Sequence, residues 1–229
     1  MKKTLANFVP LTPISFLHRA ADVFGHRTAL IYEDKELTWG ALRERCVRMA
    51  DAFVGLGIAE GDTVAVLAFN TPEMFESHFS VPMAGAVLNT INTRLDAQTI
   101  AYILEDGNAK VLIVDAELGE VAEAALVKSA NKPQVILIND PHANSKPTTA
   151  IIAPDYESVL STGSANFEWI RPENEWSPIS LNYTSGTTGR PKGVVYHHRG
   201  SYLMSMGTVI GWQLPNHPKY LYSVPMFHC

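Results

Sequence analysis

A stretch of eleven residues, 183–193, carries the side chains best suited to chemistry. It reads Tyr-Thr-Ser-Gly-Thr-Thr-Gly-Arg-Pro-Lys-Gly, so it combines four Ser/Thr hydroxyls, three glycines and one lysine. Glycines let the backbone turn tightly and bring its N–H groups close to a ligand. Clustered N–H groups, hydroxyls and an ammonium group suit anionic oxygens, and phosphate is their usual source. The candidate phosphate-binding residues are Thr184, Ser185, Gly186, Thr187, Thr188, Gly189 and Lys192.

This glycine-rich stretch differs from the phosphate loop in which Gly, Lys and Ser/Thr are consecutive and open a helix. Arg190 and Pro191 separate Gly189 from Lys192, and proline has no N–H to donate. Runs with strand-like composition lead into and out of the stretch, so it is predicted to lie at a loop or hairpin tip. On composition alone, a flexible hairpin without a ligand is the alternative.

The overall composition excludes several classes of protein. A chain of 229 residues that is 46% hydrophobic can bury a large core and form one or two domains. The net charge is −5 and no basic stripe occurs, so nucleic acid is not an expected partner. Cys46 and Cys229 provide neither a disulfide framework nor metal-ligand spacing, and Cys46 is expected in the core. No signal-peptide core or membrane-length apolar run is visible, so a cytoplasmic location is expected.

The middle of the chain alternates between strand-like and helix-like patterns. Strands are predicted at 63–69, 86–89, 111–114 and 135–138, and helices at 71–83, 96–105 and 117–128. This alternation predicts βαβ crossovers, and therefore an α/β fold with a layered, doubly wound, mainly parallel sheet. The first of these strands is continuously apolar, which is typical of a strand buried on both faces.

The segments on either side have weaker patterns. Ser15 is predicted to cap a helix that ends at Gly25, and Thr38 to cap a longer helix that ends at Gly57. The longer helix carries three arginines off its apolar stripe, which are expected to form a solvated face. A hairpin is predicted at 28–38, a helix at 156–160, a helix at 198–212 and a strand at 220–224. The irregular segment 163–178 is expected to be pinned to the body by its tryptophans, 169 and 176.

The residue order in 183–193 resembles the phosphate-binding signature of the AMP-forming acyl-adenylate ligases, which include acyl-CoA synthetases, luciferases and peptide-synthetase adenylation domains. Further segments similar to family landmarks are spread over nearly the whole chain, at 12–17, 37–39, 61–65, 92–95, 100–104 and 224–228. The sequence is most similar to bacterial and plant acyl-CoA synthetases for short- to medium-chain acids, including the branch that acts on methylthiopropionate.

This resemblance implies a two-step reaction with ATP, Mg²⁺ and coenzyme A. A carboxylate attacks the α-phosphorus of ATP to give acyl-AMP and pyrophosphate, and the coenzyme A thiolate then displaces AMP. The resemblance assigns residues 184–188 to the β- and γ-phosphates, Thr184 to Mg²⁺, Lys192 to the same phosphate oxygens and His228 to the adenylate and acyl pocket. Lys192 and His228 are thus the catalytic candidates; the alternatives are an ordinary loop lysine and a turn histidine without a role. The implied partners are a short- to medium-chain carboxylic acid and, in the assembly, a homodimer.

Members of the family are longer than this chain. The resemblance therefore implies that residues 1–229 form the N-terminal part of the large AMP-binding domain, without its remainder and without the small C-terminal domain. We expect this piece by itself to be inactive. Two other functions stay open: an adenylate-forming enzyme whose acceptor is a carrier-protein thiol, an amine or an oxygen, and a non-catalytic binding module.

Overall fold

The computed structural model describes residues 2–4, 6–143, 145, 149–184 and 189–228. Its helices and strands, in chain order, are α1 (Ile14–Phe24), β1 (Thr28–Tyr32), β2 (Lys35–Thr38), α2 (Trp39–Gly55), β3 (Thr63–Leu67), α3 (Pro72–Met83), β4 (Val87–Thr90), α4 (Ala97–Asp106), β5 (Ala109–Asp115), α5 (Gly119–Lys128), β6 (Gln134–Ile138), α6 (Tyr156–Thr162), β7 (Pro178–Thr184), β8 (Lys192–His197) and α7 (His198–Gly211). Short 3₁₀ turns occur at Ala116–Leu118 and Met226–His228.

The described part of the chain is built on a six-stranded sheet with the order β6-β5-β3-β4-β7-β8. The first five strands in this order are parallel, and β8 is antiparallel to β7. The chain leaves β3 for β4 on one side and then crosses to β5 and β6 on the other. The prediction of a doubly wound, mainly parallel sheet is therefore confirmed.

Helices cover both faces of the central strands, which explains the apolar run in β3. All five residues of β3 are buried. Because side chains alternate along a strand, Val64 and Val66 join the core under α1, α2, α3 and α6. Ala65 and Leu67 join the opposite core under α4 and α5. The two cores hold the carboxyl ends of the parallel strands at one common edge of the sheet.

Side-chain caps begin several of the predicted helices, including α2, α3 and α4. The Thr38 hydroxyl accepts a hydrogen bond from Ala41 N at 3.2 Å at the start of α2. Thr71 caps α3, and Asp96 caps α4 with bonds from two backbone N–H groups. Each side chain satisfies N–H groups that the first helical turn leaves without a partner. The cap predicted at Ser15 is wrong, because Ser15 lies inside α1 and its hydroxyl donates to the Thr12 carbonyl at 2.7 Å.

The strand predicted at 220–224 is also wrong. These residues form no ladder with another described strand, and Leu221 is 87% exposed. Asn70 contacts the segment instead: its Nδ2 donates to the carbonyls of Tyr222 and Val224, at 3.2 and 2.9 Å. A strand needs a partner for its backbone groups, and here an amide side chain binds two of them.

The two tryptophans of segment 163–178 differ. Trp169 packs against the core and stacks on the ring of His18 with 5.0 Å between centroids, so it pins the segment as predicted. Trp176 contacts the ring of His197 but remains 62% exposed. Exposure on this scale makes Trp176 a weak attachment compared with Trp169.

The prediction of a solvated arginine face on α2 is wrong for Arg45. Its side chain is only 17% exposed and forms an ion pair with the fully buried Glu76 of α3, with 2.6 Å between Nε and Oε1. It also pairs with Glu157 of α6. The hydroxyl of Tyr156 donates to Glu76 at 3.0 Å. A charge buried this deeply needs a partner, and these contacts join three helices. Cys46 is buried with a free thiol, as predicted.

Candidate functional site

The glycine-rich stretch lies at the tip of the β7–β8 hairpin, as its composition predicts. Thr184 and Lys192 are the last paired residues of the antiparallel ladder. Both are exposed, and so is Gly189, whose φ of +96° lies in the left-handed region that favours glycine. The predicted ligands Ser185, Gly186, Thr187 and Thr188 lie outside the described residues.

Thr184 and Lys192 project from the same face of the hairpin, because directly paired residues of an antiparallel ladder share a face. Alternation along β7 places Asn182 on that face as well. A hydroxyl and an ammonium group are thus side by side at the carboxyl end of a strand, where open α/β sheets commonly bind ligands. Such a pair can contact the oxygens of one anion.

Asn182 connects this hairpin to the turn that carries His228. Its Nδ2 donates to Thr90 Oγ1 at 2.8 Å and to the Phe227 carbonyl at 3.2 Å. The Thr90 hydroxyl donates to the same carbonyl at 3.1 Å. All of these groups are buried, so the bonds are shielded from competing water. The network fixes the backbone next to His228 against the carboxyl ends of β4 and β7.

The same turn is also attached to the end of β3. Asn70 Oδ1 accepts a hydrogen bond from Met226 N at 2.8 Å. The ring of His228 is exposed and lies against the Phe227 ring, with 4.6 Å between centroids. The structure thus brings Thr184 and Lys192 together directly, and it links His228 to them through buried hydrogen bonds.

The sequence interpretation missed Asn70, Thr90 and Asn182. Their shared signal is position, because each stands at or near the carboxyl end of a parallel strand, where a small polar residue follows an apolar run. No local pattern shows that the three would converge on one turn, since they are distant in sequence.

The adjacent histidines 197 and 198 lie at the other end of β8 and serve the fold. His197 Nδ1 accepts from Gly200 N at 2.9 Å and so caps α7. The Nδ1 atom of His198 lies 2.9 Å from Thr12 Oγ1, which anchors the N-terminal segment. Burial, followed by the nearby His197, lowers the pKa of His198 to about 4. His198 is therefore neutral at physiological pH.

The described residues of the hairpin tip offer few ligands for a metal ion. Thr184 offers one neutral oxygen, which suits Mg²⁺ when phosphate oxygens and water complete its coordination. Within the described ranges there is no group of three or more His, Cys, Asp or Glu side chains arranged to hold a metal ion. No helix among the described residues is long and apolar enough to cross a membrane.

The chain is similar to known proteins both in sequence and in fold. Residues 17–229 match the family model described as AMP-binding enzyme. The chain is 46% identical to a peroxisomal butyrate–CoA ligase of Arabidopsis thaliana, covering 98% of this chain and 40% of that protein. It is also 46% identical to a peroxisomal trans-cinnamate:CoA ligase of Petunia hybrida, covering all of this chain and 42% of the relative. The chain thus spans about two-fifths of the length of these curated relatives.

Solved structures with the same fold include two other ligases. A long-chain-fatty-acid–CoA ligase from Archaeoglobus fulgidus superposes with a TM-score of 0.81 at 22% identity, over 96% of this chain and 43% of that one. An anthranilate CoA ligase in complex with anthranoyl-AMP gives a TM-score of 0.74 at 26% identity, over 86% of this chain and 37% of that one. The first likeness supports the fold assignment alone.

Proposed function

The chain belongs to the AMP-binding enzyme family, and we propose that the complete protein activates a carboxylic acid with ATP and transfers the acyl group to coenzyme A. The reaction passes through acyl-AMP and releases pyrophosphate and then AMP. Residues 1–229 are proposed as the N-terminal part of the large AMP-binding domain. The whole reaction is a property of the longer protein, because the curated relatives extend well beyond this chain.

One structural observation carries the proposal. The Thr184 hydroxyl and the Lys192 ammonium group share a face at the hairpin tip, at the carboxyl edge of a parallel sheet. This placement suits the polyphosphate of a nucleotide, because a compact cation and a donor can reach neighbouring phosphate oxygens. Phosphoryl-group chemistry needs mainly positioning and charge stabilisation, which such groups can supply.

The proposed roles follow from these positions. Lys192 binds the β- and γ-phosphates and stabilises the negative charge that moves onto pyrophosphate. Thr184 is proposed as a ligand of the Mg²⁺ that accompanies ATP, and residues 185–189 as further phosphate contacts. His228 is proposed to line the adenylate and acyl pocket, in a position that Asn182 and Phe227 maintain. When bound, Mg²⁺ neutralises phosphate charge.

The acid is proposed to be of short to medium chain length. The names of the two relatives, butyrate–CoA ligase and trans-cinnamate:CoA ligase, support a small aliphatic or aryl acid. Other adenylate-forming enzymes transfer the acyl group to a carrier-protein thiol, an amine or an oxygen, so the acceptor of the acyl group distinguishes this proposal from that alternative.

A cytoplasmic location is proposed as well, although both relatives are named peroxisomal. Cell fractionation distinguishes the two compartments.

The deciding experiment is carboxylate-dependent ATP–pyrophosphate exchange, which reports acyl-AMP formation without requiring the second step. It is run on the 229-residue chain and on the longest product of its gene, with acids from acetate to dodecanoate and with trans-cinnamate. Exchange by the longer protein alone, followed by thioester formation when coenzyme A is added, is the expected result. Absence of exchange with every acid, despite ATP binding, would favour the non-catalytic binding module.

A further inference from the structure

Helix α4 contacts β7 and the loop that leads into β8, on the face of the hairpin opposite Thr184. On the incoming leg, the Tyr183 hydroxyl donates to Asp106 Oδ2 at 2.6 Å, and its ring meets the Tyr102 ring edge to face with 6.4 Å between centroids. Beyond the tip, the Arg190 guanidinium carbon lies 5.9 Å from the centre of the same Tyr102 ring. We call Tyr102, Asp106, Tyr183 and Arg190 the α4 clamp.

Two glycines make room for this arrangement. Gly193 is paired with Tyr183, and a Cβ atom built there would lie 2.9 Å from Leu181 Cδ1 and 3.4 Å from Tyr183 Cζ. A Cβ atom on Gly107 would lie 3.3 Å from Leu181 Cδ2 and 3.5 Å from the Tyr183 hydroxyl. The tightest contacts of an added Cβ would be with Leu181 and the Ile103 carbonyl, whereas the distances to Tyr183 are those of ordinary contact, so the two glycines leave room beside the ring.

The position of Asp106 at the end of α4 indicates that its carboxylate serves the contact with the hairpin. Asp106 is the last residue of α4, where the negative end of the helix dipole disfavours an anionic side chain. Its carboxylate instead accepts from a phenol whose pKa is raised by burial and by this hydrogen bond, so Tyr183 remains a protonated donor. Asp106 thus contributes to the hairpin contact rather than to its own helix.

We propose that Tyr102 and Asp106 are positioning residues for the phosphate-binding hairpin: they hold residues 183 and 190, one on each side of the tip, and thereby fix the Thr184–Lys192 pair. The inference rests on the proposed function for its catalytic consequence, but the mechanical contact is independent of that function. Tyr183 directly precedes Thr184, so a change in the position of its ring moves the hydroxyl that faces the nucleotide. Because the clamp is on the face away from the anion, it acts only through the hairpin.

A double-mutant cycle tests the hydrogen bond. Asp106→Ala and Tyr183→Phe are each expected to raise the KM for ATP in the exchange assay by roughly three- to tenfold, as expected for one partly exposed hydrogen bond. The KM for the acid should change by less than about twofold, because the clamp acts through the hairpin that carries Thr184 and Lys192. The double variant should be no worse than the poorer single one, because both changes remove the same contact. Asp106→Asn retains an acceptor and should restore most of the ATP affinity.

The aromatic contact is tested with a second pair of variants. Tyr102→Leu removes the ring that contacts Tyr183 and Arg190, whereas Tyr102→Phe keeps the ring and loses only the hydroxyl. We expect Tyr102→Leu to raise the KM for ATP by roughly three- to tenfold, and Tyr102→Phe to resemble the unmodified protein.

Tyr32→Phe provides the matched control, because Tyr32 also donates a hydrogen bond to a carboxylate, that of Asp140, away from the hairpin. It should cost comparable stability and leave the KM for ATP unchanged. Hydrogen exchange of backbone amides supplies a readout that needs no catalysis: Asp106→Ala should accelerate exchange in peptides covering 183–193, and Tyr32→Phe should not.

The outcomes separate the clamp from the proposed function. Faster hydrogen exchange at 183–193 in an enzyme without detectable ATP–pyrophosphate exchange would support the clamp and count against the function. Normal hydrogen exchange in Asp106→Ala would overturn the clamp, whatever the activity. Faster hydrogen exchange together with an unchanged KM for ATP would overturn the positioning role and leave α4 a purely structural support.

Discussion

Lys192 and Thr184 face each other as the final pair of the β7–β8 ladder, and both side chains are exposed. If Lys192 binds the polyphosphate, Lys192→Ala should lower kcat/KM for ATP in pyrophosphate exchange by about 10²-fold, similar to the loss of one charge-stabilising donor in other enzymes. Lys192→Arg should retain part of the activity, because its charge is kept but its planar group has a different geometry. The measurement is steady-state exchange with saturating acid.

The exposure of Lys192 makes its stability control simple. Replacing an exposed residue without a buried contact should alter the free energy of unfolding by no more than about 0.5 kcal/mol. Wild-type activity in Lys192→Ala would show that this lysine is an ordinary loop residue. If Lys192→Ala lost activity and also unfolded at a much lower urea concentration than the unmodified protein, the loss would not support the proposed role.

Asn182 is predicted to matter for both stability and activity. Asn182→Ala removes the buried bonds to Thr90 and Phe227 and leaves their oxygens with one donor fewer, which should cost about 1–3 kcal/mol in urea unfolding. Because these bonds hold the turn beside His228, exchange activity should also fall. Tyr156→Phe is the control: the Tyr156 hydroxyl donates a buried hydrogen bond to Glu76 at 3.0 Å, away from this turn and from α4. It should lose stability while the folded enzyme keeps its activity; equal loss of activity in both variants would contradict a local role for Asn182.

The buried contact between Arg45 and Glu76 predicts unequal effects of arginine substitutions on α2. Arg45→Ala leaves a fully buried carboxylate without its cation and should lower the free energy of unfolding by about 3–5 kcal/mol. Arg43 pairs with the exposed Asp22, so Arg43→Ala should cost less than about 1 kcal/mol. Urea unfolding of both variants decides the matter. Similar small losses would mean that Arg45 is solvated, as its sequence position suggests.

This arginine illustrates where sequence patterns reach their limit. The three-and-four spacing of apolar residues correctly places α2, and the unbroken apolar run correctly predicts β3 as a fully buried strand. These features depend on local periodicity and burial. The partner of Arg45 lies on another helix, 31 residues away, and no local pattern encodes that distance.

The candidate site likewise has a part that the sequence predicts and a part that depends on which elements become neighbours. Residue types and their order place the glycine-rich stretch at a hairpin tip, because glycines and hydroxyls between two strand-like runs favour a tight turn. The support of that tip by Asp106 and of the His228 turn by Asn182 depends on which strands and helices become neighbours. The failed strand at 220–224 has the same origin, since strand-like composition cannot supply a pairing partner.

His198 should make the protein less stable in mild acid. Its pKa is about 4 in the folded state and about 6.5 when unfolded, chiefly because burial disfavours the charged ring. Between these values the unfolded chain binds the extra proton, so the stabilising contribution is complete above pH 6.5 and is lost as the pH falls toward 4. Relative to pH 7.5, the loss at pH 4.5 should be about 2 kcal/mol.

Asp115 has the opposite effect in the same pH range. Burial raises its pKa to about 6, so its contribution is present below its ordinary value of 3.8 and is lost as the pH rises through 6. A stability profile of the unmodified protein alone would therefore mix the two groups. The His198→Gln variant keeps Asp115, so the difference between the two unfolding free energies isolates His198. That difference should favour the unmodified protein by about 2 kcal/mol more at pH 7.5 than at pH 4.5. A difference that is independent of pH would mean that the His198 ring, 2.9 Å from Thr12 Oγ1, titrates alike in the folded and unfolded chains.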